Sequence, residues 1–365
     1  MYNTFANLFL RAFNRSLLKK NAYEGAPSIK ARNPSLPYFI NGWQAVCTVK
    51  EIESGKVVSR NFMGLDIIAW LSNEGPVVSQ AHCPHLGVHL GSGGIVADGK
   101  MRCILHQRVY GYGGECTNKS FAGLRTYHVD VQLGIVFVWL DEEGRPPAWQ
   151  IPDLTTDMYG MKWGTVHDKL RGIVVPAHPI EFIENGVDYH HAVVLHNMCN
   201  SGSSMTPDGE KLSVEFRRKN TDKGAINIHA FGPFIIDYNV DYVVRGETKY
   251  SRFLMLLQFN EDGSFRAHRI KLFRTDVKET FMDWIVRNIM FVFNEVKLFK
   301  AFMREDQLIM INRKYVEAPD YGPHDRYSAD FRKWYSQFSS TPASGHPVKD
   351  VLTKPMASRH YPANG

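Results

Sequence analysis

The sequence of 365 residues predicts an α+β protein, in which a small all-β domain precedes a larger domain with an antiparallel sheet. Three observations support this fold class. Residues 40–148 contain short alternating apolar and polar runs broken by Gly, Asn and Asp, as in antiparallel strands and hairpins. Residues 162–275 place one helix-like segment among further strand patterns. A long apolar and basic stretch at 278–312 then predicts a helical region.

Prolines separate the two predicted domains. The last strand pattern of the first domain is followed directly by three prolines, Pro146, Pro147 and Pro152, which indicates a domain boundary there. The final residues are rich in Pro and Ser, so we expect a mobile tail. The predicted segments are an amphipathic N-terminal segment at 1–37, a first domain at 38–150, a second domain at 151–340 and a tail at 341–365.

The N-terminal segment is amphipathic and basic. Apolar residues from Phe5 to Leu17 recur at helical spacing, with arginines and lysines between them. The order of charges does not fit a signal peptide, and no apolar stretch reaches the length of about 18 residues that spans a bilayer. Two interpretations stay open: a helix that lies on a membrane surface, and a helix that packs on the protein itself.

Two short motifs in the first domain combine cysteine with histidine. Cys83 and His85 form C-x-H, and after seventeen intervening residues Cys103 and His106 form C-x-x-H. Two thiolates and two imidazoles are the ligands of a Rieske [2Fe–2S] centre, in which the cysteines hold one iron and the histidines the other. Zinc sites also use Cys and His, but each of their short motifs usually contains two cysteines or two histidines rather than one of each. The motif therefore predicts an electron-carrying cluster, with structural zinc as the alternative.

A second constellation lies in the other domain, in the segment ENGVDYHHAVVLH. Asp188, His191 and His196 form D-x-x-H-x-x-x-x-H, and two histidines with a carboxylate are typical of non-haem Fe(II) sites. Residues five apart lie about 140° around an ideal helix, so His191 and His196 converge only if the helix is distorted or ends there, for instance in a π-type turn. His190 is the competing ligand, although its spacings fit a helix less well.

The two motifs in this order resemble the terminal components of Rieske non-haem iron oxygenases. The resemblance implies a mononuclear Fe(II) bound by His191, His196 and a late aspartate, for which Asp306 is the candidate and Glu305 the neighbouring alternative. It further implies that Asp188 bridges the cluster of one subunit and the iron of the next, in a homotrimer. The expected fold is a Rieske domain followed by a helix-grip-like catalytic domain.

Three short sequence segments resemble one subfamily in particular. CPHLG at 83–87, FGPF at 231–234 and FRKWYSQF at 331–338 are similar to words in 3-ketosteroid 9α-hydroxylases and cholesterol 7-desaturases. The resemblance implies an oxygenase that uses O2 and external electrons to oxidise a C–H bond of a steroid or sterol by hydroxylation, desaturation or oxidative demethylation. The alternatives are an oxygenase for small aromatic or methyl-ether substrates and a Rieske electron-transfer protein.

The sequence departs from the family pattern beside the second cluster motif. Relatives usually have an aromatic residue, His, Gly and Trp, whereas this chain has Leu105, His106, Gln107 and Arg108, followed by Tyr110. Hydrogen bonds to the cluster sulfurs set its potential, so we expect an altered potential rather than a lost cluster. Arg108 could alternatively change the surface that an electron donor meets.

Composition limits the partners. The formal net charge of +6 is modest, and no basic stripe alternates with aromatics, so nucleic acid is not expected. The charge favours an acidic electron donor or an anionic membrane face. That donor, a reductase or ferredoxin, must be a separate protein, because the chain has no flavin or nicotinamide fingerprint. Cys47, Cys116 and Cys199 are predicted to be reduced thiols of a cytoplasmic protein.

Three apolar segments could line a steroid-sized slot above the iron. They are IIDYNVDYVV, FLMLLQF and WIVRNIMFVFNEVKLF, at 235–244, 253–259 and 284–299. Ligand pockets are mostly apolar with a few polar anchors, which fits this composition. The alternative is that these segments simply form the core of the domain.

Overall fold

A computed structural model gives the fold and describes most of the two predicted domains. The predicted amphipathic segment up to residue 27, the predicted tail and most of the predicted helical region at 278–312 lie outside the described residues. His196, Cys199 and Glu305 lie outside them as well. The described residues are 28–165, 167–188, 190–191, 200–218, 225–244, 246–277, 306, 309–310, 313–322 and 325–339.

The first half of the chain is built from small antiparallel sheets, as predicted. The orders of its three-stranded sheets are β1-β9-β8, β2-β3-β4 and β5-β6-β7. The strand IVFVWL is buried along its whole length because both of its faces are covered. The strands are β1 Gly42–Thr48, β2 Val58–Phe62, β3 Leu65–Ser72, β4 Gly75–Gln80, β5 Gly94–Ala97, β6 Lys100–Cys103, β7 Val109–Tyr110, β8 Val129–Gln132 and β9 Ile135–Leu140.

The second half contains a seven-stranded antiparallel sheet in the order β11-β17-β16-β15-β14-β13-β12. The predicted strand segments KLSVEFRR, AINIHAFGPFIIDYNVDYVV and YSRFLMLLQFN fall in β13 to β16, and FGPF forms the turn between β14 and β15. β10 and β18 form a separate pair. The strands are β10 Trp163–Gly164, β11 Gly172–Val175, β12 Asn200–Asp208, β13 Lys211–Arg218, β14 Ala225–Phe231, β15 Ile235–Val244, β16 Glu247–Phe259, β17 Phe265–Lys271 and β18 Phe273–Arg274.

Two of the described helices pack beside this sheet and against each other. α4 begins with a capping box, in which the His178 side chain accepts from Ile180 N and Glu181 accepts from His178 N. The segment FRKWYSQF forms the end of α5 and a following 3₁₀ turn, and its aromatic side chains are buried. The described helices are α1 Ile29–Arg32, α2 Val49–Ile52, α3 Leu90–Gly93, α4 Pro179–Val187 and α5 Arg326–Tyr335.

Buried hydrogen bonds join the two halves. Gln44 on β1 accepts from Phe259 N at 2.9 Å, and Gln258 on β16 donates to Ala45 O at 2.7 Å. Each buried glutamine side chain pairs with a backbone group of the other sheet. These bonds fix one alignment of the two sheets, because a shift of one sheet along the other would leave buried polar groups unpaired. Trp43, Phe137 and Leu254 are part of an apolar cluster that fills the same junction.

The described end of the N-terminal segment packs on the protein. Arg32 in α1 donates to Pro176 O at 3.1 Å and to Met310 O at 3.2 Å, and Tyr315 N donates to Asn33 Oδ1. These contacts favour packing for residues 28–37, whereas the helix predicted before them lies outside the described residues and stays a prediction. No helix in the described ranges is long and apolar enough to cross a membrane.

Two of the predicted structural thiols lie in the described part. Cys47 and Cys116 are buried and form no disulfide there. Burial, reinforced by the charge of Glu51, raises the pKa of Cys47 to about 12 against the opposing charge of Arg60. This thiol is therefore protonated and unreactive, as a structural role requires.

Candidate functional site

Two tight loops bring the predicted cluster cysteines into one apolar core. Cys83 N donates to Val88 O at 2.9 Å, and Cys103 N donates to Arg108 O at 2.9 Å, so each thiol sits at the start of a closed loop. Both cysteines are 2% exposed and belong to the same buried cluster as Tyr110. Thiol groups removed from water in this way suit a metal cluster that must be shielded from solvent.

The two predicted cluster histidines lie against each other at the surface of this core. The rings of His85 and His106 are 4.5 Å apart between centroids, at 66°. His85 Nδ1 is buried and has no hydrogen-bond partner among the described residues, whereas His106 is exposed. A pair of buried thiols and a pair of adjacent imidazoles fit the two-iron arrangement, because each iron takes ligands of one kind.

Tyr110 on β7 reaches one of the cysteines. Its hydroxyl lies 3.1 Å from Cys83 Sγ, and the side chain is fully buried. Burial is the main cause of the raised pKa of Tyr110, followed by the hydrogen bond and charge of Cys83 and the charge of Cys116, against the opposing charge of Arg108. The phenol therefore stays neutral and can donate to a bound thiolate, and such hydrogen bonds tune cluster potentials.

The unusual residues after His106 adopt a distinct local conformation. Gln107 has a φ of +55°, the left-handed region that glycine adopts without strain, and its side chain donates to Ile104 O at 3.0 Å. Arg108 lies over the ring of Phe121, with the guanidinium carbon 4.0 Å from the centroid. Gln107 thus adopts a backbone conformation that suits the glycine of the family pattern, and Arg108 packs on an aromatic ring.

The second predicted site begins where α4 ends. Asp188 N donates to Glu184 O at 3.1 Å and closes the helix, while Asp188 Oδ1 accepts from His191 N at 2.9 Å. Helical backbone resumes at residues 190–191, so Asp188 caps the next turn rather than lying beside His191 within one helix. The break falls before His191, and the predicted turn between His191 and His196 lies outside the described residues.

The structure brings His191 and Asp306 together across 115 positions of the chain. His191 Nε2 lies 3.0 Å from Asp306 Oδ1, and Asp306 is 6% exposed. Burial lowers the pKa of His191, but the hydrogen bond and charge of Asp306 and the charge of Asp188 outweigh it, so the pKa is raised. His190, the competing ligand, is exposed. An imidazole and a buried carboxylate in contact fit two positions of a facial triad.

The predicted site residues lie together in pairs. Within the described ranges no three His, Cys, Asp or Glu side chains are grouped so that they could hold one metal ion. The described contacts bring His85 next to His106 and His191 next to Asp306, and they place Cys83 and Cys103 in one buried cluster. The assignment of these residues as metal ligands stays a prediction.

Sequence reasoning missed a buried carboxylate that fixes α4. Glu184 is 3% exposed and pairs with Arg313 and, on α5, with Arg332, whose Nη2 lies 3.2 Å from Glu184 Oε2. Three charged groups from three chain segments thus meet one turn before Asp188. A single glutamate in an amphipathic helix gives no sign in the sequence that two distant arginines will contact it.

Replacing Glu184 with alanine should destabilise the protein by about 3–5 kcal/mol, because two partly buried arginines lose their carboxylate. The measurement is urea unfolding of the purified protein, followed by tryptophan fluorescence. A control is Glu247→Ala, which removes an exposed partner of Lys249 and should cost no more than about 1 kcal/mol. Equal midpoints for the two variants would contradict the role given to Glu184.

An apolar cavity of about 20 Å³ lies between α4 and the sheet. Val187, the residue before Asp188 in the sequence, is one of the residues that line it. Of the three segments predicted to line a slot, 235–244 contributes Ile236 and Tyr238 to this small cavity and 253–259 contributes no residue, while 284–299 lie outside the described residues. A steroid-sized slot stays a prediction. No charged side chain is among the described lining residues. These are Phe182, Ile183, Gly186, Val187, Leu212, Val214, Ile228, Ala230, Ile236 and Tyr238.

Comparison with protein families assigns both halves of the chain. Residues 42–128 match the Rieske [2Fe-2S] domain, and residues 138–339 match the 3-Ketosteroid 9alpha-hydroxylase C-terminal domain. The second match alone covers more than half of the chain. The first range contains the predicted cluster residues, from Cys83 to His106. The second contains the residues of the predicted iron site, from Asp188 to Asp306.

Curated relatives act on steroids or sterols according to their names. Cholesterol 7-desaturase nvd of Bombyx mori is 25% identical over 367 residues, which cover 88% of this chain and 73% of that protein. The oxygenase component of 3-ketosteroid-9-alpha-monooxygenase of Mycolicibacterium smegmatis is 27% identical over 172 residues, 43% of each chain.

Solved structures share the fold at low identity. Dicamba monooxygenase bound to dicamba gives a TM-score of 0.60 at 15% identity, covering 83% of this chain and 98% of that one. NdmA of Pseudomonas putida CBB5 with caffeine gives 0.60 at 14% identity, covering 80% and 89%. The arrangement of a small β domain before a large antiparallel sheet is therefore common to all three.

Proposed function

Because this chain belongs to the Rieske non-haem iron oxygenases with a 3-ketosteroid 9α-hydroxylase C-terminal domain, we propose that it oxidises a C–H bond of a steroid or sterol. The main support for the proposal is the match of residues 138–339 to the 3-Ketosteroid 9alpha-hydroxylase C-terminal domain, because this range contains Asp188, His191 and Asp306. The small cavity beside α4 adds an apolar lining without a charged side chain among the described residues. The bound cluster supplies electrons, and the bound iron activates O2.

We assign the site residues as follows. Cys83, Cys103, His85 and His106 would hold the cluster, and His191 with Asp306 would hold the iron together with His196. Asp188 positions His191 through its backbone hydrogen bond, and its negative charge favours a protonated or metal-bound imidazole. The proposed domains are 38–150 for the cluster and 151–340 for the iron.

The surface around the cluster histidines supports a homotrimer in which neighbouring subunits meet there. Leu86, Ile104 and Leu105 flank the two histidines and are 66, 48 and 52% exposed. Adjacent exposed apolar side chains of this kind mark interaction surfaces. Burying them against a neighbour's iron domain would also remove water from the path between His106 and Asp188. A separate reductase or ferredoxin would supply the electrons.

The cavity favours a steroid over small aromatic acids. A carboxylate ligand would need a buried cation, and the described lining offers only apolar side chains and the phenol of Tyr238. Pockets for ligands of this size usually measure about 300–1,000 Å³, so a steroid must displace lining side chains when it binds. Oxygenation of a methyl ether stays the second candidate, since the fold neighbours include enzymes crystallised with small substrates.

Turnover with a substrate panel tests the proposal. The purified protein, loaded with iron and sulfide and supplied with a surrogate ferredoxin and reductase, would receive cholesterol, a 4-methylsterol, a 3-ketosteroid and a methoxybenzoate. We expect a product that is heavier by one oxygen, or lighter by two hydrogens, with one of the steroids alone. Products from methoxybenzoate without any from the steroids would contradict the substrate class.

A further inference from the structure

Arg108 occupies a defined place beside the cluster residues. Its carbonyl accepts from Cys103 N at 2.9 Å, and its guanidinium lies 4.0 Å above the ring of Phe121. The side chain is half-buried, and in the described part of the chain no carboxylate pairs with it. A cation held on an aromatic face by both position and partial desolvation is fixed rather than mobile.

Arg108 lies in the loop that carries one of the proposed cluster histidines. It follows His106 by two residues, and its carbonyl accepts from the backbone N–H of the proposed ligand Cys103 at 2.9 Å. The contact with Phe121 gives its guanidinium a defined position. A positive charge is therefore anchored in the loop between Cys103 and Arg108, next to two proposed ligands in the chain.

From this placement we propose that Arg108, fixed on Phe121, raises the reduction potential of the cluster. The inference rests on the proposed function, because it requires that a Rieske cluster binds here. Reduction adds one electron to the cluster and moves no other atom, so the reduced state carries one more negative charge. A fixed cation nearby stabilises that state more than the oxidised one. The neutral tryptophan usual at this position in relatives cannot do so.

The raised potential defines the kind of donor that can serve this enzyme. A one-electron carrier, either an iron–sulfur protein or a flavoprotein, loses the electron that the cluster gains. With Arg108 in place the transfer stays favourable for a donor of less negative potential. The cation thus widens the range of donors and holds the electron on the cluster until the iron site can accept it.

Potentiometric titration of the loaded protein, followed by the EPR signal of the reduced cluster, tests the proposal with small mediators. Arg108→Met and Arg108→Trp should each lower the potential, so that the ratio of reduced to oxidised cluster at a fixed applied potential falls about tenfold, or 59 mV for one electron. Arg108→Lys should restore most of the wild-type value, because it keeps the charge. Phe121→Leu should give an intermediate shift, since the cation loses its support.

Arg102→Met is the matched control. Arg102 lies on β6 beside Cys103 and is exposed, so water and salt screen its charge. This variant loses the same net charge, so we expect less than a threefold change in the same ratio. Equal shifts for Arg108→Met and Arg102→Met would overturn the proposal. Absence of any Rieske signal in the wild-type protein would instead contradict the proposed function itself.

Discussion

His191→Ala is expected to abolish steroid oxidation and binding of the mononuclear iron while it leaves the Rieske EPR signal intact. The imidazole Nε2 of His191 lies 3.0 Å from Oδ1 of the buried Asp306. Removing one of two neutral ligands from a three-ligand site leaves too few donors to retain Fe(II). Iron and sulfide content, measured with the EPR spectrum of the reduced protein, distinguishes loss of one iron per chain from loss of the cluster.

His190→Ala provides the matched control, because it removes an exposed histidine next in the chain. This variant should keep its iron content and turnover near those of the wild-type protein. The carboxylate ligand is tested in the same way with Asp306→Ala and Glu305→Ala, of which only the first should lose iron. Iron loss in His190→Ala and not in His191→Ala would show that the assignment is wrong.

Asp188→Ala should slow electron transfer from the cluster to the iron by about 10–100-fold, the range found when a carboxylate that orients a metal-bound histidine is removed. Asp188 Oδ1 accepts a hydrogen bond from His191 N at 2.9 Å, and the charge of Asp188 contributes to the raised pKa of His191. The measurement is the rate at which the reduced cluster is oxidised after O2 and steroid are mixed with the reduced enzyme. Both metals should remain bound.

Asp188→Asn separates the two contributions of this residue. The amide oxygen of asparagine can still accept from His191 N, so helix capping is kept while the negative charge is lost. If the charge assists electron transfer, Asp188→Asn should be as slow as Asp188→Ala. A wild-type rate in Asp188→Asn would limit the residue to a capping role, and a wild-type rate in both variants would contradict the bridge.

The sequence was informative wherever chemistry is concentrated in short motifs. The C-x-H and C-x-x-H pairs predict the cluster residues because few other sites need this ligand set, and the structure places the two cysteines in one buried cluster and the two histidines in contact with each other. Strand patterns located the main sheet for a similar reason, since alternation over β13 to β16 extends across several residues. Asp306 needed the family resemblance, because a lone aspartate 115 residues from its partner carries no local signal.

Other features could not be predicted because they arise from tertiary contacts. The pairing of Glu184 with Arg313 and Arg332 depends on the packing of α4 on α5, which no local pattern encodes. The break at Asp188 was also unexpected, since the spacing of Asp188 and His191 is equally compatible with a continuous helix. Contact between Arg108 and Phe121 likewise requires two loops to meet.

The most direct test of the whole account is an anaerobic spectrum of the two metal centres. The dithionite-reduced protein would be examined by EPR after quantification of iron and sulfide, then treated with nitric oxide, with and without the steroid panel. We predict a Rieske signal together with a nitrosyl-iron signal that shifts with at least one steroid. A Rieske signal with no nitrosyl-iron signal, even after ferrous reconstitution, would leave an electron carrier and contradict the oxygenase assignment.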